Sequence, residues 1–243
     1  MKIFVVFGST SDETVYGPLA ESLRNSADVE CEVISAHRNL EKLQEKIPRW
    51  QGDAIVAGAG LAAALPGVVA AMTKLPVFGV PVSAQFGGMD SVASIAQMPP
   101  GVPVMTCGAG REAAIASFLT QYNSMRPAND ELCFVISDEA ILSHPDMVTE
   151  MEKAQKLADE KGIKISFSAG PVKDGFYVRV VAQPDDVAAD DFALHVPFMP
   201  KSEAVKAENY LKVMQMMDKG GLWVGVNNLR NAIQSFIRLK GVS

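Results

Sequence analysis

Short apolar runs of five or six residues recur along the chain, and the stretches between them show apolar positions every three or four residues. In the first half the runs are KIFVVF (2–7), CEVIS (31–35), AIVAG (54–58), PVFGV (76–80) and PVMTC (103–107). A helical pattern follows the first turn through about Arg24, and further helices are predicted over about 39–48, 65–73, 89–97 and 110–123. Apolar runs without polar alternation are strands buried on both faces. Their alternation with amphipathic helices predicts βαβ units, hence an α/β fold with a parallel sheet between two helical layers.

The polar stretch NSMRPANDE (123–131) interrupts this rhythm and reads as a linker. The alternation then resumes with strands at 132–137, 163–168, 176–182, 192–196 and 221–226, and helices over about 146–161, 203–217 and 228–239. The two halves look related. Residues 97–119 lie over 215–237 without a gap and agree at Gln97/Gln215, Met98/Met216, Ala114/Ala232, Ile115/Ile233, Ser117/Ser235 and Phe118/Phe236. FGVPV (78–82) lies over LHVPF (194–198), VISAHR (33–38) over SFSAGP (166–171) and IFVVF (3–7) over CFVIS (133–137), all in the same order. The expectation is a tandem duplication with domains at 1–124 and 131–243. The second copy is shorter between its SAG and its VPF, which removes the counterpart of AGAGLAAALPG (57–67). Gly170 stands where the first copy has His37, so the second copy is expected to be structural.

Bulk composition narrows the function. With 48% hydrophobic and 21% charged residues, the chain supports a packed core rather than disorder. A net charge of -6 without Lys/Arg runs argues against nucleic acid and membrane surfaces as partners. The Gly/Ala-rich stretch 54–72 is broken by Pro66 and reads as strand, loop and helix, not as a membrane span. The N-terminal apolar run is too short for a signal peptide. The three cysteines show no CxxC and no metal-ligand spacing, as expected of buried free thiols in the cytoplasm.

Ligands of open parallel α/β sheets bind at the carboxyl ends of strands. Three clusters fall at such ends. The first strand exits into Gly8, Ser9, Thr10, Ser11 and Asp12, the second into Ser35, Ala36, His37 and Arg38, and the third into the glycine-rich loop 57–67 with Ala59, Gly60 and Leu61. Sequential strands of this kind are neighbours, so the three exits are expected to share one crevice. The first cluster offers hydroxyls and free N–H groups to a phosphate, with Asp12 either capping the helix or taking a ribose hydroxyl; an ordinary N-cap is the alternative. Arg38 is a permanently charged planar fork suited to phosphate, or else a surface arginine. His37 brings an imidazole, the side chain suited to moving a proton, or else serves structure through a hydrogen bond. The loop offers backbone to a flat heterocycle, or else packs helix on strand. His144 is expected at a helix cap and His195 in the core or an interface. Met214, Met216 and Met217 are expected in the core, and QPDDVAADD (183–191) as a solvated acidic loop.

GSTSD, SAHR, AGAG…ALPGVVAA, LPVFGVPV and MDSVASIAQMPPGVPV occur in this order over about residues 2–122. This combination resembles the PurE family, N5-carboxyaminoimidazole ribonucleotide mutase and aminoimidazole ribonucleotide carboxylase of purine biosynthesis. The resemblance implies a flavodoxin-like fold, a homo-octamer, and neither cofactor nor metal. Here two domains per chain would let a tetramer mimic that octamer. It further implies that Ser9, Ser11, Asp12 and Arg38 hold the ribose-phosphate and that His37 is the acid/base. Ala59, Gly60 and Leu61 would face the imidazole and the migrating carboxyl group, with CO2 as the transferred species. The family loop Gly-Ala-Gly-Gly-Ala-Ala-His-Leu-Pro-Gly is here GAGLAAALPG, so Leu61 replaces a glycine and Ala64 a histidine. Two further departures are Asn39-Leu40 after SAHR in place of Thr-Pro, and a shortened CGAGREAA segment (107–114). Mutase chemistry is the leading expectation. Direct carboxylation, a related activity on another ribonucleotide, and nucleotide binding alone are the alternatives.

Overall fold

The computed structural model describes residues 1–170 and 175–241. β1 (Lys2–Phe7) is buried from Ile3 onward, with Ile3, Val5 and Phe7 in one core and Phe4 and Val6 in another on the opposite face. This two-residue period is why the run reads as apolar without alternation: both faces are covered. α1 (Glu13–Arg24) returns to β2 (Asp28–Val33). There follow α2 (Leu40–Lys46), β3 (Ala54–Ala59), α3 (Leu65–Met72), β4 (Val77–Pro81), α4 (Met89–Ala96), β5 (Met105–Thr106) and α5 (Ala113–Ser124). The strand order is β2-β1-β3-β4-β5, all parallel, with α1 and α5 packing on one face and α2 and α3 on the other.

The second half runs β6 (Glu131–Val135), α6 (Glu139–Leu142), α7 (Pro145–Lys161), β7 (Lys164–Ser168), β8 (Tyr177–Val181) and β9 (Ala193–Pro197), then α8 (Lys201–Ala204), α9 (Tyr210–Met217), β10 (Leu222–Trp223) and α10 (Leu229–Lys240). Its order is β7-β6-β8-β9-β10, the same arrangement as in the first half. Among the described residues the halves meet edge to edge through one antiparallel pair, Trp223 opposite Thr106, and form a single ten-stranded sheet. One core extends across both halves and includes Phe78 and Phe118 with Phe176, Phe192 and Phe236.

The junction is held by polar groups as well. Asn231 is buried and accepts from Gly101 N (2.9 Å), while its Nδ2 lies 3.1–3.4 Å from the carbonyls of Met98, Pro99 and Val102. Arg238 donates to Ala70 O and Leu75 O at the end of α3. Burial pulls the Arg238 guanidinium down to about 10.

Several boundaries differ from the sequence expectation. β2 begins at Asp28 rather than Cys31 because it is an edge strand: its Glu30 and Glu32 pair with Lys46 and break the apolar signal. Ser35 has left the strand for the turn. The helix expected over 203–217 is interrupted. Asn209 Nδ2 donates to Glu203 O (3.0 Å), the carbonyl that a continuing helix would offer to residue 207. The short helix α6 was not anticipated. The second half's shortening also falls elsewhere than expected. β8 occupies the β3 position; residues 169–176 separate β7 from β8, where 34–53 separate β2 from β3, and a 3-10 turn, Pro184–Asp186, stands between β8 and β9. Pro171, aligned with Arg38, lies outside the described residues. Cys107 is buried, which pushes its thiol well above the usual range, but Cys31 and Cys133 are only half-buried.

Candidate functional site

β1, β2 and β3 are adjacent, and the order reverses between β1 and β3, which is where sheets of this topology bind their ligands. A cleft of about 230 Å³ opens there. Its lining contains Gly8, Ser9, Ser11, Asp12, Ser35, Ala36, His37, Arg38, Ala59, Gly60 and Leu61 from the three strand exits. Thr10 is exposed and outside this lining.

The β1 exit is fastened to β3 by Gly8 N donating to Gly58 O (3.1 Å). Ser9 caps the 3-10 turn Thr10–Asp12, its Oγ accepting from Ser11 N at 3.2 Å. Ser11 Oγ lies 2.7 Å from Ser9 Oγ and 3.1 Å from Asp12 Oδ1; its one proton serves one of them at a time. Asp12 is buried and its side chain makes no cap on α1. The ordinary N-cap is thus made by Ser9, while Asp12 makes none and lines the cleft.

The β2 exit is a tight turn closed by Asn39 N donating to Ser35 O (2.9 Å). Ser35 is buried beneath it, and His37 and Arg38 are exposed on it. Arg38 Nη2 donates to Gly8 O (3.1 Å), so the guanidinium is held over the β1 exit with most of its fork free.

The β3 exit divides the loop's glycines between two tasks. A Cβ on Gly58 would stand 2.1 Å from Phe7 Cε1, and one on Gly67 2.9 Å from Met98 Cε. These two serve close packing. Gly60 lines the cleft, with Val82 O and Ala84 Cβ 3.3 and 3.5 Å from where its Cβ would be. The chain then turns sharply: Ala62 has φ +48 and Ala64 N donates to Ala62 O at 2.6 Å. Leu61 sits on this turn, 61% exposed.

Ala62, Ala64 and Leu65, within the loop 57–67 expected in the crevice, also line it, whereas sequence reasoning missed Ala84. Ala84 follows β4, the neighbour of β3, so the strand order was the signal that could have found it. A larger cleft of about 490 Å³ lies at the linker, around Arg126, Cys133, Ser166 and Phe176. Among the described residues it holds no imidazole, its Arg126 is paired with Asp53 (2.6 Å), and it adjoins the entry of β6.

The other histidines are accounted for. His144 caps α7, accepting from Asp146 N (3.1 Å). His195 is fully buried in β9, with Nδ1 2.9 Å from Leu222 O and its ring against Trp223. Burial pushes it down to about 4. Met216 and Met217 are core residues, and Met214 is half-buried. No metal-holding cluster of His, Cys, Asp or Glu, at 183–191 or elsewhere, occurs among the described residues. No helix among them is long and apolar enough to cross a membrane.

The cleft brings together a guanidinium, two serines, a carboxylate and an imidazole, with an apolar end beside β3. Known proteins are similar to this chain in sequence. An N5-carboxyaminoimidazole ribonucleotide mutase of Pyrococcus abyssi is 47% identical over 112 residues, covering 44% of this chain and 64% of that relative. The mutase of Methanocaldococcus jannaschii is 43% identical over 110 residues, 45% of this chain and 70% of the relative. The mutase of Aliivibrio fischeri is 36% identical over 157 residues, 60% of this chain and 98% of the relative. The AIR carboxylase family model matches residues 2–129, more than half of the chain and all of the cleft, and the chain belongs to that family.

Proposed function

We propose that the protein isomerises N5-carboxyaminoimidazole ribonucleotide to its 4-carboxy isomer, a carboxyl transfer of purine biosynthesis. The observation that carries this reading is the meeting of His37 and Arg38 with Ser9, Ser11 and Asp12 in one cleft. Arg38 and the serines bind the phosphate, Asp12 accepts from ribose hydroxyls, and the β3 exit backs the imidazole. The C–N bond of the carbamate breaks and its electron pair returns to the exocyclic nitrogen, which takes a proton from His37. CO2 is freed inside the cleft. The electron-rich ring carbon 4 attacks it, and His37 recovers the proton from that carbon. Atoms and charge balance, and the residues' work is positioning and proton transfer.

The second half acts as a structural repeat of the first. Supporting this are the recurring strand order, the edge-to-edge pairing, and Gly170 at the place of His37. One nucleotide bound per chain is expected; two would count against it. Assembly into a tetramer in the cytoplasm completes the reading, and light scattering tests the size.

The deciding experiment supplies purified protein with N5-carboxyaminoimidazole ribonucleotide and follows the 4-carboxy isomer, with His37→Asn alongside. Turnover that falls by about 10²- to 10⁴-fold in the variant, with ribonucleotide binding kept, is expected. No turnover in a wild-type protein that still binds the ribonucleotide would refute the reading. Turnover from aminoimidazole ribonucleotide and bicarbonate alone would favour the direct carboxylase.

A further inference from the structure

A mutase that passes its carboxyl group through CO2 must keep a small, neutral molecule beside ring carbon 4 until the new bond forms. The cleft does not yet do so. At about 230 Å³ it falls below the roughly 300–1,000 Å³ of sites that enclose their ligands, so a bound ribonucleotide would stand partly outside it. Its two ends differ in character. The β1 and β2 exits are polar, whereas the β3 exit contributes Ala59, Ala62, Ala64 and Leu65, with Ala84 beside them. Leu61 is the one large exposed apolar side chain of that lining, at 61%.

The backbone keeps it there. Val82 N donates to Ala59 O (3.0 Å), Gly60 packs against Val82 and Ala84, and the Ala62–Ala64 turn closes the other side. Ala62 stands in the left-handed region at φ +48, a conformation that residues other than glycine seldom adopt. An isobutyl group is thus held at the mouth of a polar cleft, facing solvent, and covering a flat heterocycle would bury it.

We propose that Leu61 closes the cleft over the bound imidazole and retains CO2 between the breaking C–N bond and the forming C–C bond. This rests on the mutase reading. It also gives the glycine-to-leucine departure a role: this chain carries on its own loop a water-excluding wall.

The test is partitioning. Protein is supplied with N5-carboxyaminoimidazole ribonucleotide, and two products are measured together: the 4-carboxy isomer, and aminoimidazole ribonucleotide left behind when CO2 escapes. Spontaneous decarboxylation is subtracted. Leu61→Gly is expected to raise the ratio of escaped to transferred carboxyl by about tenfold, the equivalent of one lost leucine contact. Leu61→Met is expected to restore the wild-type ratio. Thermal melting of each variant confirms folding, which an exposed side chain leaves intact. A wild type that turns over while Leu61→Gly partitions identically would overturn the proposal and leave the mutase reading standing. A wild type that binds ribonucleotide but forms no isomer would overturn both.

Discussion

Gly58→Ala tests whether the floor of the cleft is set by packing. The added Cβ would stand 2.1, 2.3 and 2.6 Å from Cε1, Cζ and Cδ1 of Phe7. Ordinary carbon contacts are about 3.5–4.0 Å, so the ring must retreat by roughly 1.4 Å. Phe7 is fully buried and its ring already lies 5.3 Å from that of Tyr16, so the space is occupied. Overpacking of this kind costs about 1–3 kcal/mol, which for a chain of this size lowers Tm by about 2 to 12 °C. Activity should fall as well, because Gly58 O anchors Gly8 N and Gly8 O anchors Arg38. Thermal unfolding of Gly58→Ala, Phe7→Leu and the double variant forms a cycle. The double variant should be more stable than the sum of the single losses predicts, since the smaller side chain makes room for the methyl group. A Gly58→Ala protein that melts within about 1 °C of wild type, or a cycle that is additive, would refute the argument.

Arg38→Ala removes charge-assisted hydrogen bonds worth about 1.5–3 kcal/mol, so KM for the ribonucleotide should rise about ten- to a hundredfold, read from initial rates. Asn231→Ala leaves buried groups around Met98–Val102 without partners and should cost about 1–3 kcal/mol in urea unfolding, although it lies outside the cleft. His195 is held neutral: its folded value, about 4, lies below the ordinary 6.5. Its contribution is fully present above about pH 6.5 and is lost as pH falls toward 4, by an amount on the order of 3 kcal/mol. Urea midpoints measured across that range should fall less steeply for His195→Leu than for wild type.

Local patterning made the elements of the first half legible because β1, β3 and β4 are covered on both faces, leaving unbroken apolar runs. The cleft residues were legible because a parallel sheet puts strand exits side by side, so short polar clusters at those exits converge by topology. The signal failed where a residue's partner is not its sequence neighbour. β2 reads as polar because its acidic side chains answer to Lys46. The 203–217 helix breaks because Asn209 captures a carbonyl.

Sequence alone determined the α/β class, the likeness of the two halves, and most of the residues that line the cleft, since these follow from periodicity and from groups at strand ends. Tertiary structure decided how the halves join. β5 and β10 are two residues each and pair antiparallel, Thr106 on Trp223, across more than a hundred residues of chain. No local pattern announces such a pair, because edge pairing draws on backbone groups that every residue carries. The fold also decided which glycines pack and which line the cleft, that Asp12 is free of capping, and that Leu61 stands at the mouth. Each of these depends on distances between segments, which a linear pattern of apolar and polar positions does not encode.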